Sequence, residues 1–261
     1  MNTLESNETL KMLNKVPEVS LVFWIIKIMA TTIGETAADF LNVNLHMGLT
    51  GTSVVMGVLL AGALLLQFRA RKYVPWIYWL SVVLISVFGT LVSDNLVDNL
   101  GVALETTTTL FGVALAATFV AWYASERTLS IHTIHTTRRE MFYWTTILFT
   151  FALGTSAGDL VSEGLKLGYA LSAMVFGGLI ILVTLAYSRF KLNAVGAFWM
   201  AYVLTRPFGA SCGDLLSQGV SDGGLGLGTV GTSALFLVTI LGLVSYLTLV
   251  QRKVAISVET N

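Results

Sequence analysis

Four times along the chain an aromatic residue followed by tryptophan precedes a glycine, which in turn precedes an aspartate, always at the same spacing. The pairs are Phe23-Trp24, Tyr78-Trp79, Tyr143-Trp144 and Phe198-Trp199. The glycines are Gly34, Gly89, Gly154 and Gly209, and the aspartates are Asp39, Asp94, Asp159 and Asp214. The glycines lie 55, 65 and 55 residues apart, so the copies group into two halves joined by a longer segment around residues 131–139. A repeat of fixed period marks a unit that buries its apolar face only by stacking on its neighbours.

Each copy carries two apolar stretches of about 20 residues, the length that crosses a hydrocarbon core. Hydrophobic residues make up 55% of the chain and charged residues 11%, whereas soluble domains carry roughly 25% charge. Such a chain cannot clothe a water-facing surface. The fold expected is all-α and integral to the membrane. Eight transmembrane helices are expected, in four parallel two-helix repeats around a pseudo-symmetry axis along the membrane normal. The spans read as 19–41, 49–67, 76–97, 105–124, 141–162, 169–188, 194–217 and 229–250. The repeats are about 19–74, 75–130, 141–192 and 194–250, forming one membrane domain over 19–250 between polar tails at 1–18 and 251–261. Two spans per copy give every copy the same orientation; inverted repeats need an odd number. The first apolar stretch is long and contains Lys27, so it reads as a retained span rather than a cleaved leader. Cys212 is the only cysteine, which excludes an intramolecular disulfide.

Twelve basic residues fall on the side shared by the two termini: Lys11, Lys15, Arg69, Arg71, Lys72, Arg127, Arg138, Arg139, Arg189, Lys191, Arg252 and Lys253. The opposite loops hold only Lys166. The positive-inside rule then places both termini in the cytoplasm. Trp24, Trp79, Trp144 and Trp199 fall at the cytoplasmic starts of the odd-numbered spans, where interfacial aromatics are expected.

This pattern resembles a family of bacterial membrane proteins built from four tandem copies of a repeat of unknown function. Each repeat there has two transmembrane segments and a characteristic tryptophan, and the likeness covers roughly residues 19–250. The resemblance implies the architecture and a multi-pass protein of the bacterial cytoplasmic (inner) membrane. It implies no activity.

Residues four apart share a helical face. On the first span that face reads Lys27, Thr31, Glu35, Asp39, and on the third Val82, Ser86, Thr90, Asp94, Asp98. On the fifth it reads Ile147, Phe151, Thr155, Asp159, Glu163, and on the seventh Tyr202, Arg206, Ala210, Asp214. Lipid penalises such faces, so they are expected to point into the bundle. Asp39, Asp94, Asp159 and Asp214, brought to one level, would form an acidic ring of the kind that selects cations. Glu35 and the hydroxyls of Thr90 and Thr155 add oxygen donors suited to hard metals. The competing reading makes each Asp a helix end, a cap or a link between repeats. The glycines, with Ala38, Ser93, Gly158 and Gly213, read as small-residue packing patterns.

The copies also differ. Glu35, Lys27 and Arg206 stand where their counterparts are uncharged, and Arg206 precedes Pro207, which is expected to kink the seventh span. Arg206 and Lys27 are therefore assigned to gating or coupling, with snorkelling to the interface as the alternative for Lys27. His132 and His135 in the middle loop, and His46 in an outer loop, carry little. The function expected is a small-cation transporter or permease, for a divalent metal such as manganese, with proton coupling through the carboxylates. The alternative is a non-transporting scaffold or sensor. No enzyme, resident cofactor or nucleic-acid partner is expected; the partners are the bilayer, a small cation and protons, with a homo-oligomer left open.

Overall fold

The computed structural model describes residues 14–259. Residues 1–13 of the first tail, Lys11 among them, the last two residues, and the side chains of Arg252 and residues 254–259 lie outside the described residues.

Local signals start the helices that begin each copy. Ser20 accepts from the Phe23 N–H ahead of α1 (Leu21–Asp39), and Pro75 opens α3 (Pro75–Asp94) at a first-turn position where no N–H is needed. Thr136 accepts from the Arg139 N–H before α5 (Thr137–Asp159), and Asn193 caps α7 (Ala194–Ser217) through Val195 and Gly196. The second helices are α2 (Gly48–Arg69), α4 (Leu104–Glu126), α6 (Tyr169–Phe190) and α8 (Gly228–Glu259). Gly101 and Gly168 turn the chain between first and second helices with φ of +66° and +75°, a region closed to most side chains. The α8 helix continues past the expected end at residue 250, since Arg252 and Lys253 do not interrupt helical geometry.

The first helices form a closed ring: α1 packs on α3 and α7, and α5 packs on the same two. The second helices lie outside it, each against the first helix of the following copy. Thus α2 packs on α3, α4 on α5, α6 on α7, and α8 returns to α1. Outward positions on these outer helices are apolar and exposed, for example Val58, Val113, Leu182 and Val238, each above 60%. Contiguous apolar surface of this kind needs lipid rather than water.

The motif glycines explain how the ring closes. Gly34 faces Ser86, Gly89 faces Phe151, Gly154 faces Arg206 and Pro207, and Gly209 faces Thr31. A Cβ on any of the four would overlap the neighbour, so glycine sets the helix separation. Across the last seam Thr32 also donates to the Gly209 carbonyl at 3.1 Å.

Among the described residues six helices are long and apolar enough to cross a membrane: α1, α2, α3, α4, α6 and α8. The other two, α5 and α7, carry Arg138, Arg139 and Glu140 or Arg206 and Asp214, and both belong to the inner ring. An inner helix hides its polar residues against protein, so its sequence need not be as apolar as a lipid-facing one. The chain is an all-helical, repeat-built membrane protein.

Several expectations are corrected. Trp79, Trp144 and Trp199 are only 2%, 3% and 5% exposed, so they are core residues and not interfacial anchors. Trp199 packs edge-on against Phe119 and Trp122 of α4, and Trp79 lies against Phe23, so neighbouring elements cover the ends of the inner helices. Trp24 alone is half-buried. The α7 helix is continuous through Pro207, whose ring sits over Gly154 and Gly158. Asn14, Lys15 and Val16, read as the end of a free tail, are buried.

Candidate functional site

Counting from each motif glycine, the inner helices present five successive layers, each about 6 Å from the next at four residues per step. Eleven before the glycine stand Phe23, Tyr78, Tyr143 and Phe198; seven before, Lys27, Val82, Ile147 and Tyr202. Three before stand Thr31, Ser86, Phe151 and Arg206; one after, Glu35, Thr90, Thr155 and Ala210; five after, the four aspartates. The three middle layers are buried throughout.

Arg206 organises the centre. Its side chain is 0% exposed and reaches all three other inner helices. Nη2 donates to Glu35 Oε2 at 2.9 Å, to Thr155 Oγ1 at 2.7 Å and to Thr90 Oγ1, while Nη1 donates to the Thr31 carbonyl at 3.2 Å. The threonines suit this task. Thr90 donates its own hydroxyl proton to the Ser86 carbonyl and Thr155 to the Phe151 carbonyl, so their lone pairs are left for the guanidinium. A hydroxyl that both donates to the backbone and accepts from a cation can sit in a dry core without an orphaned group.

On one side of Arg206 lie the acids. Carboxylate oxygens of Glu35, Asp159 and Asp214 fall within 4.8 Å of one another, with Glu35 and Asp214 buried and Asp159 half-buried. Three carboxylates this close need compensating positive charge, because their mutual repulsion grows as the local dielectric falls. Arg206 supplies one such charge through Glu35. Asp39 and Asp94 stand outside the triad, both half-buried, and Asp39 receives one long contact of 3.5 Å from Gln218 Nε2. The four aspartates therefore do not form an even ring; Glu35 takes a place in the acidic group instead. Asp39, Asp94 and Asp159 each close an α-helix just before a five-residue π-helical turn: Phe40–Asn44, Asn95–Asn99 and Leu160–Gly164. Such turns recur at functional positions. None of these three aspartates uses its side chain to cap the turn that follows.

On the other side of Arg206 lies Lys27. Its ammonium is fully buried, 4.3 Å from the ring centres of both Phe151 and Tyr202, and makes no hydrogen bond among the described residues. It does not snorkel. Beyond it Tyr78 and Tyr143 share a hydroxyl–hydroxyl bond of 2.5 Å, and the Tyr202 hydroxyl is buried without a partner among the described residues. His46 and His132 are exposed. A separate cleft of about 470 Å³, bounded by α1, α6, α7 and residues 129–132, is lined by Trp24, Ile28 and Tyr187 among others, with no carboxylate.

Reasoning from sequence gave Tyr78, Tyr143, Tyr202 and Lys15 no part in the site and passed over Glu140, which pairs with Lys15 in the interior. Aligning the copies by register, layer by layer, finds the tyrosines, since Tyr202 shares a layer with Lys27. Lys15 and Glu140 leave no such trace, because neither belongs to the repeated column.

No curated protein and no solved structure matches the chain. Residues 22–73, 77–128, 142–193 and 197–253 each match one family, described as Repeat of Unknown Function (DUF347). Those four tandem matches take in most of the sequence, and the chain belongs to the DUF347 repeat family.

Proposed function

We propose that the protein is a small-cation transporter or permease of a bacterial cytoplasmic membrane, with all eight helices spanning it and both termini in the cytoplasm. The observation that carries this reading is the group of Glu35, Asp159 and Asp214, within 4.8 Å of one another at one end of a closed helical ring. Oxygen-only donors of this kind suit magnesium, calcium or manganese, and a divalent metal such as manganese is the substrate proposed. Coupling follows from charge. A cation entering the triad replaces the positive charge that the acids otherwise take as protons, so metal and protons exchange at one place. Arg206 bars the column below the triad, since its guanidinium fastens all four inner helices. Passage requires it to leave at least one partner, and Lys27, without a hydrogen bond of its own among the described residues, is the next charge along the path.

The same four-helix fastening favours a second reading, a non-transporting scaffold or sensor locked at its centre. The two separate in one experiment. Metal uptake and efflux are profiled in cells with and without the protein, and then with Asp94→Asn and Asp159→Asn. Transport predicts that both variants accumulate in the membrane while metal flux falls, more strongly for Asp159→Asn because Asp159 belongs to the triad. Variants that accumulate normally with metal and proton movement unchanged would sink the transport reading. Variants that fail to accumulate place the acids in packing, as the scaffold requires.

A further inference from the structure

The cleft bounded by α1, α6, α7 and residues 129–132 stands where one copy departs from another. In the second copy Phe119 and Trp122 come 30 and 33 residues after the motif glycine, and their rings pack on Trp199 at 5.1 and 5.7 Å. Helix α6 holds the same relation to α1 across α7 that α4 holds to α7 across α5. The residues placed to cover Trp24 are therefore those 30 and 33 after Gly154, which are Thr184 and Tyr187. Threonine has no ring to offer, and Tyr187 is 51% exposed where Trp122 is fully buried. Both line the cleft, and so does Trp24, the one repeat tryptophan left half-buried. The cavity of about 470 Å³ lies where the aromatic cover is missing.

Its walls, depth and rim describe what fills it. Ile28, Ile180, Val183 and Phe198 give apolar walls. The hydroxyls of Thr184 and Thr205 donate to the carbonyls of Ile180 and Tyr202, so neither needs a partner in the cleft. Along α7 the lining runs from Ala194 to Thr205, a rise of eleven residues or about 16 Å. A hydrocarbon core is roughly 30 Å thick, so the cleft is one leaflet deep. The end at which α7 starts is basic. Between Tyr187 and Ala194, both in the lining, the chain passes Arg189 and Lys191 and no carboxylate. The connection between α4 and α5 instead holds Arg138 and Arg139 against Glu126, at 3.6 and 2.8 Å. Glu18 lies 3.7 Å from His132 of the lining. We propose that the cleft holds one acyl chain of an anionic phospholipid whose phosphate sits at Arg189 and Lys191. An apolar slot in the lipid-facing shell takes up chain rather than water, and a basic rim at headgroup level selects anionic lipid. The bound lipid gives α1 the packing that Phe119 and Trp122 give α7. This site is independent of the transport reading.

The test melts the full chain in detergent with added phosphatidylglycerol or phosphatidylcholine of the same acyl chains. Phosphatidylglycerol is expected to raise the Tm by several degrees in a saturable way, and phosphatidylcholine by clearly less. Thr184→Phe/Tyr187→Trp supplies the cover found in the second copy and should remove the response by filling the cleft. Arg189→Gln/Lys191→Gln should reduce the phosphatidylglycerol response to that of phosphatidylcholine. Both of those residues are exposed, so this variant decides the matter if the first does not accumulate. Native mass spectrometry of the unmodified protein should show a phosphatidylglycerol adduct that the filled variant lacks. Equal responses to the two lipids overturn the proposal, and so does a preference for phosphatidylglycerol that survives either variant. A lipid-free dimer that the filled variant loses would give the cleft to a second copy and overturn it equally.

Discussion

Glu35 and Arg206 are 171 residues apart in sequence and share a hydrogen bond of 2.9 Å in the folded chain. Both are buried, so neither can lose its partner cheaply. Glu35→Gln leaves a guanidinium in the core with only neutral acceptors, and breaking a buried pair in this way costs about 3–5 kcal/mol. The variant should show a clearly lowered Tm in detergent. The double variant Glu35→Gln/Arg206→Met removes the stranded charge and should regain most of the loss, since apolar replacement of a buried pair is close to neutral. A double variant no more stable than the single one would show that Arg206 is held by Thr90, Thr155 and Thr31 alone. The importance of these two residues was legible in the sequence because three other copies served as an internal reference. Which acid meets which was not. Asp94, outside the triad, and Asp159, inside it, hold the same place in the repeat, so repeat spacing carries nothing that separates them. Burial of Trp79, Trp144 and Trp199 was illegible for a related reason: a tryptophan at a helix start has the same hydropathy whether lipid headgroups or Phe119 and Trp122 lie beside it.

At the level of the helix, the glycines set a geometry, and Asp39, Asp94 and Asp159 terminate it. Gly209 meets the Thr31 side chain, and the Ile28 carbonyl would lie 3.2 Å from an added Cβ, whereas nothing lies within 4 Å of Gly62 on α2. Gly209→Ala should therefore destabilise by roughly 1–3 kcal/mol through overpacking. Gly62→Ala should be neutral or stabilise by up to about 1 kcal/mol, the helix preference of alanine over glycine. Parallel melts of the two variants check this; an equal effect would show that the ring seams tolerate separation. The element scale is also where hydropathy misleads. All eight long helices were readable from repeat spacing, but α5 and α7 fall short on apolarity alone. Their threonines, Arg206 and Glu140 are screened from lipid by the outer helices, and average hydropathy does not register screening. Pro207 lies inside a continuous helix, and two glycines of α5 receive its ring.

For the molecule as a whole, orientation is the first quantity to measure. Met47 lies in the turn between α1 and α2 and His132 in the segment between α4 and α5, and both are exposed. In a Cys212→Ser background, Met47→Cys should react with a membrane-impermeant maleimide on intact cells. His132→Cys should react only after permeabilisation. The reverse pattern would invert the topology and place the acidic triad on the cytoplasmic side.

The hand-over of each outer helix to the next copy has a consequence in time. The seam between α1, α7 and α8 is made from the two ends of the chain, so it is the last to form during synthesis. At about 5–20 residues per second, the 171 residues between Glu35 and Arg206 take roughly 10–30 s to emerge. Throughout that interval the earliest helix holds Lys27 and Glu35 in the membrane with neither the guanidinium nor the aromatic ring of Tyr202 to receive them. The finished ring has no first member, but its biogenesis does, and the copy made first is the one that must wait.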